Sequence, residues 1–185
     1  NTQKKHMDFA IIAETFQKME ATTKRTELTS LLVELIKNTP NELIAKAVYL
    51  LQGILKPSFE GLELGIAEKL AIRAIAKSSG TSVKKIQDEY NIGGDLGNAA
   101  ANILKLKTQT TFIAEPITLE RVYDTLLKIA NLEGKGSQDL KIKYISSLLN
   151  DATPTEGKFV LKILLGVLRL GIAENTVMDA LAITF

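Results

Sequence analysis

Cysteine and tryptophan are absent from the 185 residues, and histidine occurs once. Without a thiol the chain holds no disulfide, no thiolate metal site and no cysteine nucleophile. The one histidine, His6, stands in the leading run Asn1-Thr2-Gln3-Lys4-Lys5-His6. That run reads as a tag remnant or disordered tail over 1–6, and His6 is assigned no function. Aromatic residues make up only 5%, too few for the stacking platforms that single-stranded nucleic acid requires. Net charge is also small, since 23 basic against 21 acidic residues leave +2. A polyanionic partner must therefore be held by local clusters, not by the field of the whole molecule. Charges break every apolar run well short of the roughly 20 residues that span a bilayer. The composition reads as a soluble intracellular protein with no membrane contact.

What is present is helical pattern. Hydrophobic residues reach 45%, enough for a packed core. Phe9, Ile12, Ala13 and Phe16 fall at i, i+3, i+4 and i+7 and predict a helix over about 8–20. Leu28, Leu31, Leu32, Leu35 and Ile36 mark a second helix, and a third runs to about Leu55. Thr39-Pro40-Asn41-Glu42 and Thr153-Pro154-Thr155-Glu156 both read as capping boxes with proline at the first helical position. Gly80 predicts a left-handed helix stop, Thr81 or Ser82 a new start, and Asn91 to Gly97 a break before a helix reaching about Lys105. Beyond an extended connector, Thr118 and Ser137 are the expected caps of two more helices, the first carrying Leu119, Val122, Tyr123, Leu126 and Ile129. Phe159, Val160, Ile163, Leu164 and Val167 form the next apolar face, and a closing helix covers about 173–183. No stretch alternates with period two. The prediction is an all-α protein of ten or more helices.

One motif occurs twice: Leu64-Gly65-Ile66-Ala67-Glu68 returns as Leu170-Gly171-Ile172-Ala173-Glu174. The second copy follows Gly166-Val167-Leu168-Arg169 and opens a helix. Such a corner brings backbone close to another surface and aims the free N–H groups of a helix N-terminus outward, which suits a phosphate. The Thr-Pro boxes repeat 114 residues apart, the glycine corners 106 apart, and Leu28, Leu31 and Leu32 match Ile145, Leu148 and Leu149. The pattern is an internal duplication giving two lobes related by a pseudo-twofold axis, with lobe one at about 8–107, a connector at about 108–117 and lobe two at about 118–185. Each corner taken alone reads slightly better as a plain helix–helix turn; two of them suggest a pair of anion sites that would fit the twofold character of duplex DNA.

Glu63 to Lys69, Gly94-Asp95-Leu96-Gly97, Gly134 to Asp139 and Leu168 to Glu174 stand in this order. Over 7–185 the chain resembles the N-terminal DNA-binding domain of ATP-dependent DNA ligases of the archaeal and eukaryotic replicative type. The resemblance implies an all-helical module that grips nicked duplex from the minor-groove side, for nick sealing in replication, repair and recombination. It implies phosphate contacts from Gly166, Arg169, Gly171 and Ala173, with Gly65 and Ala67 as their counterparts. Lys24, Arg25, Lys135, Ser137 and Lys141 are further backbone-contact candidates. It also implies ATP and Mg for the full-length parent and neither in this fragment, because the nucleotidyl-transferase signature Lys-x-Asp-Gly occurs nowhere in the chain. A sliding clamp is a second implied partner. The expected state is a monomer, in the cytoplasm with the chromosome or in a nucleus.

Lys84, Lys85, Lys105, Lys107, Lys143 and Lys158 complete the local basic candidates, with Lys84 and Lys85 assigned to a solvated helix face. Phosphate contacts carry no base information, which suits an enzyme that meets nicks in any sequence. The alternative reading is a helical protein–protein adaptor that binds no nucleic acid.

Overall fold

The computed structural model describes residues 6–55, 66–108 and 115–185. Over these the chain forms α1 (Phe9–Glu20), α2 (Arg25–Asn38), a 3-10 turn (Asn41–Leu43), α3 (Ile44–Leu51), α4 (Glu68–Ser79), α5 (Val83–Gly93), α6 (Leu96–Thr108), α7 (Leu119–Asn131), α8 (Ser137–Asp151), α9 (Pro154–Leu164) and α10 (Glu174–Thr184). Among the described residues there is no strand, only an isolated antiparallel bridge between Asp8 and Thr118. The protein is all-α.

Apolar periodicity explains which faces turn inward. Phe9, Ile12, Ala13, Phe16 and Met19 of α1 are buried, as are Leu119, Val122, Tyr123, Leu126 and Ile129 of α7. Burying one such large side chain contributes about 1.5–3 kcal/mol over leaving it in water. Phe16 meets Phe159 of α9 edge to face, with ring centroids 5.5 Å apart, a geometry that ring quadrupoles favour. Caps set the ends. The Ser82 hydroxyl accepts from Lys85 N–H at 3.2 Å, and that of Thr118 from Arg121 N–H at 3.1 Å. Gly80 and Gly94 take the left-handed conformation that stops α4 and α5.

Four expectations are corrected. Thr39 caps no helix start: it closes α2, its hydroxyl donating to Leu35 O at 2.6 Å. Ser137 is the first residue inside α8, whose N-cap is Gly136. Val167 lies past the end of α9 and is 53% exposed, so it does not extend the apolar face. The third helix ends at Leu51, where Gly53 turns the chain and the Ile54 N–H returns to Tyr49 O at 2.9 Å. His6, although exposed, is anchored through Nδ1 to Glu120 Oε2 at 2.8 Å. The loop expected at 56–61 and most of the connector lie outside the described residues.

Helix contacts come in matched sets. α1 packs on α2 as α7 packs on α8; α1 packs on α9 as α7 packs on α3; α2 packs on α10 as α8 packs on α4. The backbone repeats the pattern between the first and seventh helices. Phe9 N–H donates to Ile117 O at 2.9 Å, and Leu119 N–H donates to Met7 O at 2.8 Å. Most of these partners are exchanged, a helix from one half of the chain packing on a helix from the other. Among the described residues α5 and α6 have no counterparts in the other half, and α6 lies along α9.

Candidate nucleic-acid interface

The corner after α9 is built by alternation. Leu168 and Leu170 are buried, while Val167, Arg169 and Gly171 between and beside them are exposed. The two leucines pin the segment to the core and leave Arg169 outside. Gly166, at φ +68°, ends α9 in a Schellman turn: its N–H donates to Ile163 O at 3.1 Å and the Val167 N–H to Lys162 O at 3.0 Å. Gly171 sits at φ +67°, a conformation that side-chain-bearing residues rarely adopt. The Arg169 guanidinium is folded over its own turn, with Nη1 3.0 Å from Leu168 O and 3.3 Å from Gly166 O, and it pairs with no carboxylate among the described residues.

Ala173 is the N-cap of α10 and Ala67 the N-cap of α4; both are extended, and neither side chain caps its helix. Alanine lacks the side-chain oxygen that satisfies first-turn N–H groups, and relative to Ser, Thr, Asp or Asn it costs about 0.5–2 kcal/mol there. Both helix starts therefore leave first-turn N–H groups without a side-chain cap, and the first residue of each helix is a glutamate, Glu68 or Glu174. The corners are also neighbours, because Ile66 N–H donates to Leu164 O at 3.1 Å. One residue before Ala67 is thus bonded to the turn that leads into Gly166. Gly65, the other proposed member of the first corner, lies outside the described residues.

The remaining candidates divide between the two corners. Lys24 and Arg25 start α2, whose Leu28 approaches Gly171: a Cβ there would lie 3.6 Å from Leu28 Cδ1. Arg25 Nη2 meets Asp179 of α10 at 2.9 Å, and Lys24 Nζ meets Glu27 at 3.5 Å, all four well exposed. Lys135, Ser137 and Lys141 belong to the turn and first turns of α8, which packs on α4. Each corner therefore has beside it a basic helix start from the opposite half of the sequence. Lys158 is removed from the basic candidates, since it is 8% exposed with Nζ bonded to Glu20 Oε2 at 2.8 Å and Gln17 Oε1 at 3.1 Å. Lys107 turns to Asn150 Oδ1 at 3.0 Å and Ser78 Oγ at 3.3 Å, and burial holds its ammonium below the usual lysine range.

Two polar features near the corners were missed from the sequence. Tyr90 of α5 donates its hydroxyl to Glu68 Oε1 at 2.6 Å, holding the carboxylate at the start of α4; that bond pushes the phenol above its ordinary pKa. Beneath the second corner, Lys162 joins Glu20 at 2.8 Å and Asp95 at 3.2 Å. Burial alone would push the Asp95 carboxyl up, but the Asn98 N–H and then Lys162 outweigh it and hold it below the usual range. Burial likewise opposes charge on Lys162, and the bonds to Glu20 and Asp95 reverse the balance and raise it. The Gly94-Asp95-Leu96-Gly97 motif was the signal for this cluster; its lysine partner sits on a helix that reads as plain amphipathic core.

Fold and corners together define an all-helical module with two adjacent open helix starts. The chain belongs to the DNA ligase N terminus family, whose model matches residues 8–182. It is 70% identical over 179 residues to a DNA ligase of Nitrosopumilus maritimus and 61% identical to one of Cenarchaeum symbiosum, in each case covering 97% of this chain and 30% of the relative. It is 42% identical over 186 residues to DNA ligase 2 of Thermofilum pendens, with 97% and 31% covered. The chain thus spans about three tenths of the length of these relatives. Among the described residues no helix is long and apolar enough to cross a membrane.

Proposed function

We propose that this domain grips nicked duplex DNA for an ATP-dependent DNA ligase, holding sugar–phosphate backbone so that catalytic parts of the enzyme can seal the break. One observation carries the reading: two alanine-capped helix starts, at Ala67 and Ala173, joined through the Ile66–Leu164 hydrogen bond. Open first-turn amides receive phosphate oxygens, and Glu68 and Glu174 offset the helix dipoles when no phosphate is present. Arg169, Gly166 and Gly171 complete the second corner. Arg25, Lys24, Lys135, Ser137 and Lys141 supply further backbone contacts. Pairing across a twofold would match the two strands of a duplex and ignore base identity. The domain would act as a monomer on the chromosome, with a sliding clamp as a second partner.

ATP and Mg belong to the sealing chemistry of the parent enzyme. The Lys-x-Asp-Gly signature that takes the nucleotide is not in this sequence. No nucleotide-transfer step is assigned to it.

The test is fluorescence anisotropy of a labelled nicked duplex across a salt series. The wild-type chain binds at low salt with little dependence on sequence. Arg169→Ala weakens binding equally on unrelated sequences and lowers the slope of log K against log salt by about one. No duplex binding at low salt would favour a protein–protein adaptor. An unchanged slope would remove Arg169 from the contact set.

A further inference from the structure

The last turn of α9 is tied in four directions. Its Lys162 carbonyl accepts the Val167 N–H that opens the second corner, and its Leu164 carbonyl accepts the Ile66 N–H of the first. The Lys162 side chain reaches Glu20 Oε1 at the end of α1 and Asp95 Oδ2 before α6. Both carboxylates are used at both oxygens: Glu20 Oε2 takes Lys158 at 2.8 Å, and Asp95 Oδ1 accepts the Asn98 N–H at 2.9 Å. Lys162, Glu20 and Asp95 are 12%, 19% and 32% exposed, so solvent screens these pairs only in part.

A half-buried ion cluster is a poor way to gain stability, because desolvation offsets much of the attraction. It is a good way to fix position. The apolar face of α9, with Phe159, Val160 and Ile163 fully buried, holds the helix against its neighbours. At its last turn, bonds of 2.8 and 3.2 Å from one ammonium add directional contacts to α1 and to the start of α6.

The geometry points to Lys162 as a positioning residue for duplex binding: held between Glu20 and Asp95, it fixes the turn from which both corners hang, and so the spacing between them. This rests on the duplex-binding reading of the corners. Lys162 touches no DNA in it. Its effect passes through the Lys162 and Leu164 carbonyls to residues that do.

The experiment uses the whole 185-residue chain and three variants, with nicked-duplex anisotropy over a salt series and thermal unfolding followed by helical circular dichroism. Lys162→Met keeps the apolar stem and removes the charge. Its helical signal stays, its affinity at fixed salt falls about 3- to 30-fold, and its salt slope falls by about one as a corner loses its phosphate. Asp95→Asn, which keeps an acceptor for the Asn98 N–H, shifts affinity the same way by less, since Lys162 keeps Glu20. Lys158→Met removes the other Glu20 partner, whose carbonyl feeds neither corner; it lowers the melting temperature and leaves the slope alone. Wild-type affinity and slope in Lys162→Met, whatever its melting temperature, overturn the assignment. Should Lys162→Met not fold, Asp95→Asn with wild-type binding overturns it equally. A wild-type chain that binds no duplex is a different result: the reading of the corners falls, and this one with it.

Discussion

Thr39-Pro40-Asn41-Glu42 and Thr153-Pro154-Thr155-Glu156 are nearly the same tetrapeptide, and they fold differently. At 153 the capping box is complete: the Thr153 hydroxyl accepts from Glu156 N–H at 3.2 Å, and Thr153 N–H donates to Glu156 Oε1 at 2.8 Å. At 39 neither bond forms. The difference is one residue upstream. α8 ends at Asp151 and Ala152 intervenes, so Thr153 is free; α2 runs to Asn38 and takes Thr39 as its own C-cap. The Thr39 N–H is then spent on Ile36 O at 3.1 Å and the hydroxyl on Leu35 O. A box motif works only when its first residue is not already claimed. The helices downstream differ accordingly: a 3-10 turn and the eight-residue α3 in one case, the eleven-residue α9 in the other.

The two helices also differ in how deeply they sit. α9 is wrapped by α1 and α6, whereas α3 meets α7 and the turn before it. At the fixed offset of the two boxes, Phe159 corresponds to Ala45, which is exposed. The largest effect therefore falls on one side only. Phe159→Ala removes a fully buried ring and its edge-to-face partner Phe16, and is expected to cost about 3–5 kcal/mol. Ala45→Ser should stay within about 0.5 kcal/mol. Urea unfolding of both variants checks this; a Phe159→Ala loss below about 1 kcal/mol would mean that α9 is not the central helix.

The boxes give the middle-sized prediction. Thr153→Ala breaks a working cap and should cost about 1 kcal/mol. Glu42→Ala touches an exposed side chain in no box and should be silent, within about 0.5 kcal/mol. Equal losses at the two sites, read as shifts in melting temperature, would show that Glu42 caps its turn in solution after all.

Periodicity made most of the fold legible. The inward residues of α7, and those of α1 except Met19, could be listed from spacing alone; Thr118 and Thr153 could be picked as caps, and the cap of α5 narrowed to Thr81 or Ser82, because each stands clear of the helix before it. The second corner was legible too, since glycines flanking Leu168-Arg169-Leu170 announce a turn with an arginine on it. Long-range placement was not. Nothing local says that Lys158 would point at Glu20 while Arg169 stays outside, because helix periodicity locates a face and not the helix that covers it. The exchange of partners between the halves was equally hidden: a repeat in sequence does not say whether a copy packs on itself or on its mate.

That exchange leaves a mark in the charges. Arg25 of α2 pairs with Asp179 of α10 at 2.9 Å, and Arg73 of α4 pairs with Asp139 of α8 at 4.0 Å. Arg25 and Asp139 are 114 residues apart, the offset of the Thr-Pro boxes; Arg73 and Asp179 are 106 apart, the offset of the corners. The pairs are thus equivalent with polarity reversed, both arginines in the first half and both aspartates in the second. Pairing α2 with an α4, or α8 with an α10, would set like charges together, so the pattern favours exchanged packing. These side chains are more than half exposed, and screening keeps each pair to about 0.2–1 kcal/mol. Asp179→Arg should therefore lower the melting temperature slightly at low salt, Arg25→Asp in the same chain should restore it, and the corresponding Arg73–Asp139 cycle should be weaker because its atoms stand farther apart. A coupling that survives molar salt would contradict the electrostatic account, and no coupling at low salt would leave apolar packing alone to choose the partner.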